Sequence, residues 1–135
     1  MPVTRLLLVD DDPMVRTGLR LILSGEPDLE IVAEAADGKA AEALVDQLCP
    51  DLVLMDIRMP VQDGLTTTEH LLLRPSPPAV LVLTTFDSDD QVLRALQAGA
   101  KGFLLKDSAP AQMIEAIHKV AAGEPALSPS VTDQV

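Results

Sequence analysis

The sequence predicts one α/β domain: a doubly wound, five-stranded parallel sheet of strand order 2-1-3-4-5, with helices on both faces. That expectation rests on three observations. Five short runs rich in Leu, Val and Ile recur along the chain, and a helical pattern follows each of them. Four of the five runs are nearly continuous in apolar residues, as befits strands buried on both faces. Repeated strand–helix units joined by right-handed crossovers close into such a sheet.

The first run is "RLLLVD" (5–10). The helix after it begins at Pro13, a favoured first-turn residue, and sets Val15, Leu19, Ile22 and Leu23 at helical spacing. Arg16 and Arg20 take another face, and Gly25 stops the helix. The second run, "EIVAEA" (30–35), alternates and is acidic, which suits an edge strand. Its helix carries Ala41, Leu44, Val45 and Leu48 and ends before Pro50, with Cys49 expected to pack that helix. The third run, "DLVLMD" (51–56), leads into "GLTTTEHLLLR", a weaker helix because three threonines are poor helix formers. Pro75, Pro77 and Pro78 close it. The fourth run, "AVLVLTT" (79–85), precedes a helix capped by Ser88 or Asp89, with Val92, Leu93 and Leu96 facing inward and Gly99 at its end. After "GFLLK" (102–106), the last helix presents Met113, Ile114, Ile117 and Val120 and ends at Gly123. From Glu124, "EPALSPSVTDQV" has no apolar period. The expected division is a domain over 1–122 and a linker stub over 123–135.

Bulk properties exclude several function classes. The chain has 135 residues, enough for one domain with a real core. No apolar run approaches the roughly 18 residues a membrane helix needs. The net charge of −11 repels phosphate backbones, so the chain is not expected to bind DNA by itself. One cysteine forms no internal disulfide and fits a reducing cytoplasm. His70 and His118 are the only histidines. Neither has zinc-motif spacing, and both are expected as surface or boundary residues.

In doubly wound sheets function gathers at the carboxyl ends of the strands, where strand order reverses. Asp10 and Asp11 leave strand one there, and Asp56 leaves strand three. Converging carboxylates repel one another, and a hard cation relieves them. Oxygen ligands without a cysteine or histidine cage point to Mg²⁺, which is commonly held by one or two carboxylates plus a phosphate. Thr84 and Thr85 end strand four, Lys106 ends strand five, and Arg58 follows Asp56 by two residues. A carboxylate, a dication, a hydroxyl and an ammonium together suit a phosphoryl group, with Asp56 as its nucleophile. Each residue has a plainer reading. Asp10 and Asp11 could cap the helix at Pro13, Thr84 could bond its own loop, and Lys106 could lie on the surface.

The set "LLLVDDD", "DLVLMDIRMPVQDG", "VLTT" and "GFLLKD" resembles the receiver domain of two-component response regulators over about residues 4–122. The resemblance implies a flavodoxin-like (βα)5 fold. It implies that Asp56 accepts a phosphoryl group from a phosphohistidine of a sensor histidine kinase. It further implies Mg²⁺ bound by Asp11 and Asp56, by Asp10 through water, and by the main-chain carbonyl of Arg58. Thr84 would be the switch hydroxyl, Lys106 the phosphate-binding cation and Phe103 the aromatic switch; periodicity alone reads Phe103 as core. "LTTFD", "ALQAGAKGFLLKD" and "AAGEPALSP" are in the style of the LuxR/NarL-type subgroup. That subgroup implies a DNA-binding helix-turn-helix domain after the linker, homodimerisation on phosphorylation, and a cytoplasmic location with no membrane contact. The end of the chain inside the linker favours a longer protein over a stand-alone receiver.

Such a protein is a phosphoacceptor switch, with self-phosphorylation and self-dephosphorylation its only catalysis. Two departures from the family pattern stand out. Lys106 is followed by Asp107 where proline is common, so no cis bond is expected there. Asp12 adds a third acid, either a group supporting the site from behind or, as the favoured reading, a solvated loop residue. Phe86 is bulky and is expected to hinder an attacking water and prolong the phosphorylated state. The rival reading is a Mg²⁺-dependent phosphohydrolase with an aspartyl nucleophile; it would want an acid where Arg58 stands. A flavin or nucleotide module would want a Gly- or Ser/Thr-rich loop after strand one, where this chain is acidic.

Overall fold

The computed structural model describes residues 3–85 and 89–127. Strands β1 (Thr4–Val9), β2 (Leu29–Ala35), β3 (Leu52–Met55), β4 (Ala79–Thr84) and β5 (Gly102–Leu105) alternate with helices α1 (Pro13–Leu23), α2 (Gly38–Leu48), α3 (Gly64–Leu71), α4 (Asp89–Ala98) and α5 (Pro110–Ala121). A two-residue strand, β6 (Ala126–Leu127), follows. All pairings are parallel, in the order β2-β1-β3-β4-β5-β6. The expected order 2-1-3-4-5 is therefore present, with β2 at one edge.

Two cores sandwich the sheet, because alternate strand residues point to opposite faces. On one face Leu7, Val9, Val53, Met55, Val80, Val82 and Phe103 pack under α2, α3 and α4. On the other Leu6, Leu8, Leu52, Leu54, Leu81, Leu83 and Leu104 pack under Leu19 and Leu23 of α1 and Met113, Ile117 and Val120 of α5. That two-sided burial explains why the central strands read as unbroken apolar runs.

Four details differ from the sequence expectation. Leu93 is exposed, while Ala95 takes the inward position with Val92, because a small side chain lets α4 lie close to the sheet. Cys49 packs nothing: it is exposed and forms the left-handed C-cap of α2 at φ 48°. Asp12, rather than Asp10 or Asp11, caps α1, accepting from the Met14 N–H. That bond satisfies a helix-start donor and makes Asp12 more than a solvated loop residue. Finally, β6 lies where only linker was expected. Gly102 permits it, since a Cβ there would come within 2.6 Å of the Ala126 carbonyl oxygen. Ser88 and Phe86 lie outside the described residues.

Gly99 ends α4 as expected, at φ 101°. No cis peptide bond occurs among the described residues, Lys106–Asp107 included. No helix among them is long and apolar enough to cross a membrane.

Candidate phosphoacceptor site

Parallel register brings the carboxyl ends of β1, β3, β4 and β5 to one rim. Val9 pairs with Met55, Met55 with Val82, and Thr84 with Leu105. The next residues, Asp10, Asp56 and Lys106, therefore step off the sheet together. Backbone bonds hold them there: Asp56 N–H donates to the Val9 carbonyl at 2.9 Å, and Lys106 N–H to the Thr84 carbonyl at 2.6 Å. One groove is lined by Asp10, Asp11, Asp12, Asp56, Arg58, Thr84, Thr85 and Lys106.

Carboxylate oxygens of Asp10, Asp11 and Asp56 lie within 4.8 Å of one another. Asp10 and Asp56 are buried, at 2% and 6% exposure, and Asp11 is exposed. Lys106 Nζ sits 2.6 Å from Asp10 Oδ2 and 3.3 Å from Asp56 Oδ1, so one ammonium serves two acids. The balance stays unfavourable for a second negative charge. Burial, and then the neighbouring Asp10 charge, push the Asp56 carboxyl up to about 6, against the pull of Lys106. Burial also opposes the charge on Lys106, but its hydrogen bond to Asp10 and the charges of Asp56 and Asp10 hold its pKa above the ordinary lysine value.

The donor set fits a hard dication. Three carboxylates cluster here, the two buried ones share one ammonium, and all three are oxygen ligands. The exposed Asp11 leaves one side of the cluster open to water, which Mg²⁺ retains.

Supporting residues complete the rim. Asp10 Oδ1 accepts from the Asp12 N–H at 2.9 Å, and Asp56 Oδ1 from the Ile57 N–H at 2.9 Å. The loop carrying Arg58 is pinned at its far end. Gln62 Nε2 donates to Glu42 Oε2 at 2.6 Å and Thr67 Oγ1 at 2.8 Å, and its carbonyl accepts from the Gly38 N–H. Val61 in this loop has φ 69°, a costly conformation for a β-branched residue. Gly64 meets the strand end so closely that a Cβ would lie 1.8 Å from the Asp56 carbonyl oxygen.

Asp10, Asp11, Asp56, Arg58, Thr84, Thr85 and Lys106, singled out in the sequence, all line this groove, whereas among the described residues Phe103 does not. Phe103 lies in β5, fully buried, next to Val82. Sequence reasoning missed Arg16, which donates to the Asp10 carbonyl and is held by Glu34 of β2 at 2.9 Å. Arg20 pairs with the same Glu34. The signal was the Arg16/Arg20 pair one helical turn apart, facing an acid on the neighbouring strand. Glu42, Gln62 and Thr67 left no pattern to find, because they meet only through the fold.

Comparison with known proteins gives a consistent result. The family model described as "Response regulator receiver domain" matches residues 6–118. The chain is 41% identical over 131 residues to the transcriptional regulatory protein LiaR of Bacillus subtilis, covering 97% of this chain and 62% of LiaR. It is 39% identical over 127 residues to the nitrate/nitrite response regulator NarL of Escherichia coli, covering 94% of this chain and 59% of NarL. It thus spans about three fifths of the length of these relatives. Among solved structures, a LuxR-family two-component response regulator from Aurantimonas superposes with a TM-score of 0.92 at 36% identity, covering 98% of this chain and 94% of that one. The receiver domain of a NarL from Mycobacterium tuberculosis superposes with a TM-score of 0.88 at 36% identity, covering 92% and 100%. None of these likenesses supports a phosphohydrolase.

Proposed function

Because the chain belongs to the response regulator receiver domain family, in its LuxR/NarL-type branch, we propose that Asp56 is its phosphoacceptor and that the acid groove binds Mg²⁺. The observation that carries this is the meeting of Asp10, Asp11 and Asp56 within 4.8 Å of one another, with Lys106 bridging Asp10 and Asp56.

Asp56 attacks the phosphorus of a phosphohistidine on a sensor histidine kinase. A P–O bond forms to the carboxylate, the P–N bond breaks, and the imidazole nitrogen keeps the electron pair. Asp11, Asp56 and the Arg58 main-chain carbonyl would hold Mg²⁺, with Asp10 assisting, and the ion would neutralise charge on the phosphoryl oxygens. Lys106 turns from Asp10 to a phosphoryl oxygen, and the Thr84 hydroxyl donates to another. Two such bonds, each worth about 1.5–3 kcal/mol, approach the roughly 5.5 kcal/mol that reverses a 1:99 equilibrium. Thr84 leaves its present place at the strand end, and Phe103 follows it as the aromatic switch. The surface of α4, β5 and α5 then changes its pairing with a second copy or with an output domain. The function is a phosphorylation-driven switch, with self-phosphorylation and self-dephosphorylation as its only chemistry. The working protein is cytoplasmic, and it reaches DNA through a helix-turn-helix domain beyond the linker at 123–135.

The test is incubation with Mg²⁺ and a small acyl-phosphate donor, followed by intact mass. One phosphoryl addition is expected, absent in Asp56→Asn and absent without Mg²⁺. Equal labelling of Asp56→Asn, or steady release of phosphate from many phosphoesters, would overturn the assignment.

A further inference from the structure

We propose that Glu26, Asp28 and His118 form a second metal site, for a transition-metal dication such as Zn²⁺, at the edge of the sheet opposite the acid groove. Glu26 and Asp28 lie in the turn before β2, at the amino end of the parallel strands, and His118 lies near the end of α5. One ligand atom from each comes within 4.8 Å of the other two, and all three residues are half-buried.

The turn is held in place. Glu26 N–H donates to the Leu23 carbonyl, Leu29 N–H to the Glu26 carbonyl, and Thr4 N–H to the Asp28 carbonyl, at 2.8–3.2 Å. His118 Nε2 is 2.9 Å from Asp28 Oδ2. The contact is out of line for a hydrogen bond, although that nitrogen is itself shut off from solvent. The imidazole thus faces carboxylate oxygens and can act as a ligand as well as a cation. A proton can serve one such contact, whereas a dication engages all three donors at once. Glu115 and Glu124 line the adjoining groove and add to its negative field, while Lys119 there pairs with Glu115 at 3.3 Å.

Ligand chemistry selects the ion. Imidazole with carboxylates favours Zn²⁺ over Mg²⁺, whose ligands are oxygens. Zinc–ligand bonds of about 2.0–2.2 Å set donors roughly 3.4 Å apart in a tetrahedron, so small rotamer changes close the site. Three protein ligands leave the fourth position to water. No sequence motif announces this site, because its ligands come from segments about ninety residues apart that only the α1–β2 turn and α5 bring together.

The experiment is Zn²⁺ titration of the whole chain in excess Mg²⁺, which occupies the acid groove, while imidazole nitrogen resonances are followed by NMR. His70, paired with Glu42 at 3.0 Å, is the internal control. One Zn²⁺ per chain is expected, with the His118 resonances shifting and those of His70 still. His118→Gln and Glu26→Gln, each checked for folding by circular dichroism, should weaken binding by at least about tenfold, and Asp11→Asn should leave it unchanged. Motionless His118 resonances, unaltered binding in His118→Gln, or loss of Zn²⁺ only in Asp11→Asn would overturn the proposal.

Discussion

Replacing Asp56 by Asn should stabilise the metal-free protein, even though it removes the proposed phosphoacceptor. The carboxyl is pushed up to about 6 by burial and by Asp10, from an ordinary 3.8. An acid whose folded pKa exceeds its unfolded value holds its proton more tightly when folded. The native state is therefore handicapped by the ionised group above about pH 6, and the handicap fades as pH falls towards 3.8. The full gap corresponds to about 3 kcal/mol at 1.36 kcal/mol per pH unit. Asp56 faces an open groove where water screens charge, so about 1–2 kcal/mol is the expected gain near pH 7.5. Lys106 limits any loss on the other side, because it keeps Asp10 at 2.6 Å. Asparagine preserves shape, so the packing around Ile57 and Met55 stays. The assay is urea unfolding in EDTA followed by far-ultraviolet circular dichroism, since the chain has neither tryptophan nor tyrosine. The advantage of Asp56→Asn should fall by about half between pH 7.5 and pH 5. A variant less stable than wild type at pH 7.5, or a gain that does not vary with pH, would refute the charge account of this groove.

Three further outcomes follow from the same geometry. Millimolar Mg²⁺ should raise the stability of the wild-type protein, by about 2.7 kcal/mol at a hundredfold excess over its dissociation constant. Thermal melts of Asp11→Asn should show most of that gain lost, with little change in EDTA because Asp11 is exposed. Lys106→Met leaves Asp10 and Asp56 without their shared cation; in EDTA it should lose about 1–3 kcal/mol, after discounting for the open groove, and Mg²⁺ should restore most of it. A Lys106→Met protein as stable as wild type without metal would contradict the bridging role. Gly64→Ala drives a Cβ to 1.8 Å from the Asp56 carbonyl oxygen, so urea unfolding should reveal a loss of at least about 3 kcal/mol. Phosphoryl uptake should fall with it, because the strain falls on the strand end that carries Asp56, the proposed acceptor.

Local chemistry made much of this protein readable from its residues. Unbroken runs such as Leu6–Val9 and Leu52–Met55 announced strands buried on both faces, and Pro13 and Gly99 marked helix limits. The acids, threonine and lysine following strand ends could be assigned to one rim because parallel strands all point the same way. Other features depend on contacts between distant segments. Leu93 lost its inward place to Ala95 through the closeness of α4 to the sheet, which helical spacing alone does not encode. The β6 pairing depends on the bare edge at Gly102. Arg16 on the Asp10 carbonyl, Gln62 clamped by Glu42 and Thr67, and the meeting of Glu26, Asp28 and His118 arise where chain folding brings side chains together across tens of residues. Sequence determined the strand-end acids and their order; tertiary packing decided that two of them share one lysine, and with that the raised pKa of Asp56. Burial and proximity are properties of the folded volume, and no linear pattern carries them.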